Sequence, residues 1–188
     1  MASRPNVKNR SVSIELPPWA AMSEPRRGHV ARVVALIDRW ASSMRVDPHE
    51  AAAWHDAARW HDALRDAPEH LLREITGDRE RPAELLHGPA AAVMLGREGE
   101  ARHDVLEAIR HHTTGALEWS RTGRALFMAD FLEPGRRFSR AARAALATRM
   151  PGDFDGVFRQ VVRQRLEWTL REGRQIFPET VALWNAVR

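Results

Sequence analysis

Apolar residues recur at helical spacing along almost the whole chain, and no stretch alternates apolar and polar residues for more than a few positions. That periodicity points away from sheets, sandwiches and barrels and toward packed helices. Arg26 to Met44 places Val30, Val33, Ile37, Trp40 and Met44 on one helix face. Asp47-Pro48 offers an N-cap followed by proline at the first helical position, which predicts a helix running to about Asp66, where Ala67-Pro68 interrupts it. Further helices are predicted over Glu69 to Ile75, Ala83 to Arg97 (broken near Gly88-Pro89), Ala101 to His112 and Arg121 to Leu132. Ser139 to Arg149, Asp153 to Glu172 and Pro178 to Val187 complete the set. Gly115 is available for a left-handed cap after His112. The expected fold class is all-α, with one bundle domain over residues 19–188. Residues 1–18 carry Arg4, Lys8 and Arg10, end in Pro17-Pro18, and read as a mobile N-terminal arm or docking segment.

Cysteine is absent, so disulfides and thiolate metal sites are excluded. A metal would have to sit on imidazole and carboxylate, which suits iron, manganese or zinc. The formal net charge is +4, and Lys8 is the only lysine among 29 basic residues. Arginine forks suit phosphate, but these are scattered rather than gathered into a stripe, as a GC-rich coding sequence would also produce. A polyphosphate or nucleic acid partner is thereby raised, and the scatter weighs against nucleic acid. No apolar run is long enough for a membrane span, and Met1 to Glu15 lacks the apolar core of a signal peptide, so a cytoplasmic location fits.

Nine histidines are present, and helical direction sorts them. At roughly 100° per residue, His29 shares the core face of its helix with Val33, Leu36 and Trp40. Of two His-Asp doublets on the next helix, His61-Asp62 borders the apolar sector of Trp54, Ala57, Ala58, Trp60 and Leu64. In the other doublet, His55-Asp56, the carboxylate points to the side of Arg59 and Ala63, as a solvated pair would. His112 shares a face with Val105, Ala108 and Ile109, whereas His111 stacks over Asp104 and Glu107 as a surface ion pair. His87, followed by Gly88-Pro89, stands at a helix entrance, where it either caps the helix or serves a site. Asp130 lies within Leu126-Phe127-Met128-Ala129-Asp130-Phe131, where a carboxylate needs a buried arginine or a cation to be tolerated. His49, His70 and His103 sit in polar surroundings.

Taken together, His29, Trp60-His61-Asp62, Leu86-His87-Gly88-Pro89, Ile109 to Gly115 and Met128 to Arg136 resemble the YqeK-type HD-domain proteins. The resemblance continues through Phe177 to Val181 and Trp184-Asn185, and so covers nearly everything after residue 16. It implies an HD-type helical bundle and the activity of a symmetrical diadenosine tetraphosphatase, an iron enzyme that yields two ADP. It implies metal ligation by His29, His61, Asp62 and Asp130, and nucleotide contacts from Arg26, His87, His112 and Arg136, with Arg65 beside the site. On that basis Asp62 or Asp130 orients or deprotonates water activated on the metal. His87 and His112 neutralise or protonate the phosphate, or hold a second ion. Arg65 stands where the family commonly has lysine, and His111 where it has an aromatic residue, so the substrate is less constrained than the chemistry. Two other readings stay open: hydrolysis of another nucleotide or small phosphoester, and a nucleotide-binding module with little turnover. Trp19 and Trp119 could form a homodimer patch, belong to the core, or stack on adenine.

Overall fold

The computed structural model describes residues 15–136 and 138–188, all helix and connection, with no strand among them. Arg4, Lys8 and Arg10 of the expected arm lie outside the described residues. At its described end Leu16 packs against the core, and Ala21 N–H donates to the Ala63 carbonyl at 2.8 Å.

Helix α1 (Glu24–Met44) starts with Pro25 in its first turn and stops at Arg45, whose φ of 52° is left-handed. One of its faces, from His29 and Val30 to Trp40 and Ala41, is buried. Asp47 caps α2 (Pro48–Trp60) by accepting from His49 N–H at 2.9 Å, as the sequence predicts. The helix ends at Trp60 rather than near Asp66. The Ala58 carbonyl, which an uninterrupted helix would pair with Asp62 N–H, accepts the His61 Nδ1 hydrogen at 2.7 Å instead. The chain then continues in tight turns, Ala63 N–H bonding Trp60 and Arg65 N–H bonding Asp62. His61-Asp62 thus sits at a helix end, not mid-helix.

A short helix α3 (Glu69–Thr76) and a 3₁₀ turn (Ala83–Leu85) lead into α4 (His87–Arg97). The expected break falls at Leu86, so that Gly88 and Pro89 lie in the first turn of α4, where a missing N–H costs nothing. Helix α5 (His103–His111) closes on Gly115, whose φ is 82° and whose N–H reaches the His111 carbonyl at 2.7 Å. Helix α6 (Arg121–Leu132) is buried on nearly every side from Thr122 to Leu132, which places it at the centre of the bundle. Helices α7 (Arg140–Arg149), α8 (Phe154–Arg171) and α9 (Pro178–Val187) follow.

The core unites Ile37, Trp54, Ile109, Leu126, Met128 and Phe158, from α1, α2, α5, α6 and α8. Of the two tryptophans left open by the sequence, Trp119 is buried against Phe127 at 5.4 Å between ring centres, and Trp19 packs partly buried against the core. No helix among the described residues is long and apolar enough to cross a membrane.

Candidate metal centre and phosphate cleft

Five helices converge on one buried point. His29 comes from the second turn of α1, His61 and Asp62 from the end of α2, His87 from the first position of α4, His112 from the end of α5, and Asp130 from the last turn of α6. All six are at most 8 % exposed. The sequence-selected residues therefore meet, and the rejected ones do not. His55 instead pairs with Asp38 at 2.9 Å, and His111 with Glu107 at 3.2 Å, on the predicted helix face. Asp56 differs in one respect from its expected solvated state: Arg59 at 2.9 Å and Arg102 at 2.6 Å both hold it, because α5 is entered directly beside it.

Asp62 is the hub. One carboxylate oxygen, Oδ2, faces Arg26 at 2.9 Å, His61 Nε2 at 3.6 Å and His29 Nε2 at 3.8 Å. The other, Oδ1, faces His87 Nε2 at 3.2 Å and His112 Nε2 at 3.5 Å. Burial alone would raise its pKa, but the surrounding imidazoles, His61 first and then His112 and His87, hold it well below the usual carboxylate range.

Three of the imidazoles are oriented by one device. His61, His87 and His112 each direct Nδ1 at a carbonyl three residues back, Ala58, Glu84 and Ile109, at 2.7, 2.9 and 2.8 Å. A carbonyl only accepts, so Nδ1 carries the hydrogen and each Nε2 turns its lone pair into the centre. Burial pushes His61 down to about 4, which keeps it neutral and ready to ligate at physiological pH. His87 and His112 meet Nε2 to Nε2 at 3.0 Å. Two lone pairs cannot face each other at that distance, so a proton or a cation belongs between them, with Asp62 Oδ1 as its counter-charge. Gly88 permits this approach: a Cβ there would lie 2.6 Å from the Ile109 carbonyl oxygen and 3.0 Å from His112 Nδ1.

On the other side, His29 lies between carboxylates, its Nε2 3.1 Å from Asp130 and its Nδ1 3.2 Å from Glu133. Burial would lower its pKa, yet its hydrogen bonds to Asp130 and Glu133 raise it to about 9. The position thus calls for a positive charge, which a proton provides when no metal does. Asp130 is likewise held well below its ordinary range despite burial, through Arg136 at 2.6 Å, His29, and Arg165 at 3.4 Å.

The residues present fit a divalent ion. His29, His61 and Asp130 offer ligand atoms within 4.8 Å of one another, as do His61, Asp62 and His112. The Nε2 atom of His61 is fully buried without a hydrogen-bond partner, as a ligating nitrogen would be before an ion is bound. Mixed imidazole and carboxylate donors suit borderline ions such as iron, manganese and zinc.

Two functional side chains escaped sequence reasoning. Glu133, 2 % exposed, accepts from Arg32 Nε at 2.6 Å and from Gly135 N–H at 2.6 Å while it holds His29. Its signal was present, three residues after Asp130 in the same motif, but its partners come from α1. Arg165 on α8 donates to the Thr113 carbonyl at 3.1 Å and faces Asp130, and nothing in its local sequence marks it.

A cleft of about 680 Å³ opens over Asp62, His87, His112 and Asp130. Arg26, Arg65, Arg136 and Arg165 line it. Arg65 donates to the Glu84 carbonyl at 2.8 Å, which sets it beside His87 as expected. A larger groove of about 1050 Å³, between α1 and α7, touches Arg136 but none of the imidazoles, so the smaller cleft is the candidate site.

A helical bundle that gathers histidines and aspartates from separate helices under an arginine-lined cleft defines a class, the all-α proteins with a mixed imidazole–carboxylate centre. Within it, this chain belongs to the HD domain family, whose family model matches residues 26–144 and so spans every residue of the centre. Three curated relatives carry the name bis(5'-nucleosyl)-tetraphosphatase, symmetrical. That of Halalkalibacterium halodurans is 34 % identical over 103 residues, 54 % of each chain. That of Bacillus subtilis is 25 % identical over 63 % of this chain and 67 % of its own, and that of Staphylococcus aureus 27 % over 55 % and 54 %. The chain thus spans about half the length of the first of these relatives. A crystal structure from Clostridium acetobutylicum, described as a predicted HD superfamily hydrolase involved in NAD metabolism, superposes with a TM-score of 0.75 at 24 % identity, over 88 % of this chain and 90 % of that one. That likeness establishes the shared fold.

Proposed function

We propose that the protein is a metal-dependent hydrolase that cleaves a dinucleoside tetraphosphate symmetrically, diadenosine tetraphosphate yielding two ADP. The observation that carries this reading is the buried ligand set directly beneath a cleft lined by Arg26, Arg65, Arg136 and Arg165. The names of the three curated relatives support the choice of substrate.

In this reading His29, His61, Asp62 and Asp130 hold the metal, with iron favoured and manganese or zinc as alternatives. Bound there, such an ion would supply an acidified water and Lewis acidity toward the phosphate. The arginines hold the phosphate chain, and their guanidinium forks match its oxygens. Asp62 or Asp130 orients the attacking water and takes its proton. Attack forms one P–O bond and breaks the central P–O–P bridge, and the bridging oxygen leaves with the second ADP. His87 and His112, which meet Nε2 to Nε2 at 3.0 Å beside Asp62, are the imidazoles placed to return a proton to that oxygen.

Product analysis after incubating the iron(II)-loaded protein with diadenosine tetraphosphate tests the proposal. ADP as sole product is the expected result. AMP with ATP would keep the hydrolase and overturn the position of attack; no turnover with metal bound would overturn the substrate.

Arg136→Ala is expected to weaken ADP binding by about ten-fold while leaving the metal content intact. Arg136 reaches Asp130 at 2.6 Å and is not among the proposed ligands, and Arg165 and His29 remain to balance that carboxylate. Calorimetric titration with ADP, beside elemental analysis of the same sample, checks both halves. Unchanged ADP affinity would remove Arg136 from the substrate site.

A further inference from the structure

The metal centre and its arginines recognise phosphate, and an inorganic polyphosphate would satisfy them equally well. Nothing among those groups reads a base. The far wall of the cleft has a different character. Helix α8 presents Arg165 and, one turn later, Trp168 to the same cavity. Arg165 is pinned at the polar end by Asp130 and the Thr113 carbonyl, its guanidinium 4.2 Å over the Phe127 ring. Trp168 is half-buried and carries Arg174 4.7 Å over its ring. Ile176 and Phe177, from the connection between α8 and α9, continue the apolar wall beside it.

This wall is firmly attached. Thr180 donates to the Thr114 carbonyl at 2.8 Å, two residues from His112, and Glu179 pairs with Arg81. It also lies wholly beyond the stretch that matches the HD domain family, which ends at residue 144. One helical turn advances about 5 Å, so α8 sets an aromatic face that far along from a phosphate-facing guanidinium. An aromatic platform beside a cation is the arrangement that takes a base and its phosphate together.

We propose that α8 and the α8–α9 connection form the nucleoside subsite, with Trp168, Ile176 and Phe177 as the base platform and Arg165 joining it to the phosphate chain. The inference rests on the nucleotide reading above and deepens it. The common HD centre supplies the hydrolysis, and the C-terminal layer selects a nucleoside phosphate over a bare polyphosphate.

Calorimetric titration of the purified full chain with ADP and, separately, with inorganic pyrophosphate tests this. ADP is expected to bind at least about ten-fold more tightly than pyrophosphate, and Trp168→Leu to lose about that factor for ADP alone. Trp168→Phe, which restores an aromatic face, is expected to keep most of the ADP affinity. Both replacements are apolar at a half-buried position, so the fold should bear them. Equal affinities for the two ligands in the wild type, an unchanged ADP affinity in Trp168→Leu, or an equal loss for both ligands would each overturn the platform. ADP binding that depends on Trp168 in a protein that leaves diadenosine tetraphosphate intact would uphold the subsite and reject the substrate alone.

Discussion

Asp130→Ala is expected to yield a protein that neither retains metal through purification nor turns over substrate. Without an ion the attacking water would keep its ordinary, far higher pKa, so turnover should fall by at least about a thousand-fold. The carboxylate stands in the last turn of the buried helix α6 and is held against His29, Arg136 and Arg165. Its loss leaves three cationic groups facing one another around a methyl group. A stability loss of about 3 kcal/mol for the metal-free protein is the order expected when one member of a buried ionic cluster is removed. Elemental analysis, steady-state kinetics and urea unfolding in the presence of a chelator measure the three effects. Normal metal content with normal turnover would remove Asp130 from the centre. Asp130→Asn separates charge from shape: it keeps an oxygen at the same place and should retain more stability than alanine, yet bind metal poorly.

The second large effect is expected at Glu133, which is not itself a proposed ligand. It holds His29 Nδ1, and thereby aims Nε2 at the centre, as carboxylates commonly do behind ligating histidines. Glu133→Ala should weaken metal affinity by about 10–100-fold. Buried between His29 and the Pro134–Gly135 turn, Glu133 also accepts from Arg32 and the Gly135 amide. Their loss should lower stability by about 2–3 kcal/mol, less than a wholly enclosed cluster would lose, because Arg32 is 40 % exposed. Turnover of the fully loaded variant should stay near that of the parent, since Glu133 positions a ligand and does not face the cleft. Competition with a chromophoric chelator separates affinity from turnover. Unchanged metal affinity would mean that His29 is oriented without Glu133, and a full loss of turnover at saturating metal would place Glu133 in the chemistry itself.

How far each of these residues was legible depends on how local its reason is. The inward direction of His29, His61 and His112 follows from helical periodicity, because burial of an apolar stripe dictates which positions face the core. The same rule set aside His55 and His111, and both lie in peripheral ion pairs. Asp130 announced itself by cost, as a carboxylate in an apolar helix. Of the two remedies the sequence offers for it, arginines do hold it, and the ligand atoms of His29 and His61 lie beside it, where a cation could be held. The end of α2 was misplaced because the Ala58 carbonyl is taken by a side chain, a competition that propensity does not register.

The sequence by itself determined that the chain is all helical, that its inward polar residues are histidine and aspartate, and that any metal must do without thiolate. Those properties belong to single helices or to composition, and a period of 3.6 residues is enough to read them. Only the tertiary structure decided that Asp62 would divide its two oxygens between two sets of imidazoles, and that His87 and His112 would meet Nε2 to Nε2 at 3.0 Å. It alone brought Glu133 behind His29 and carried Arg165 and Trp168, from beyond the HD domain, to the wall of the cleft. The physical reason is that a charge, a tautomer or a stacking surface is defined by its partners, and these partners meet only when α1, α6 and α8 have packed.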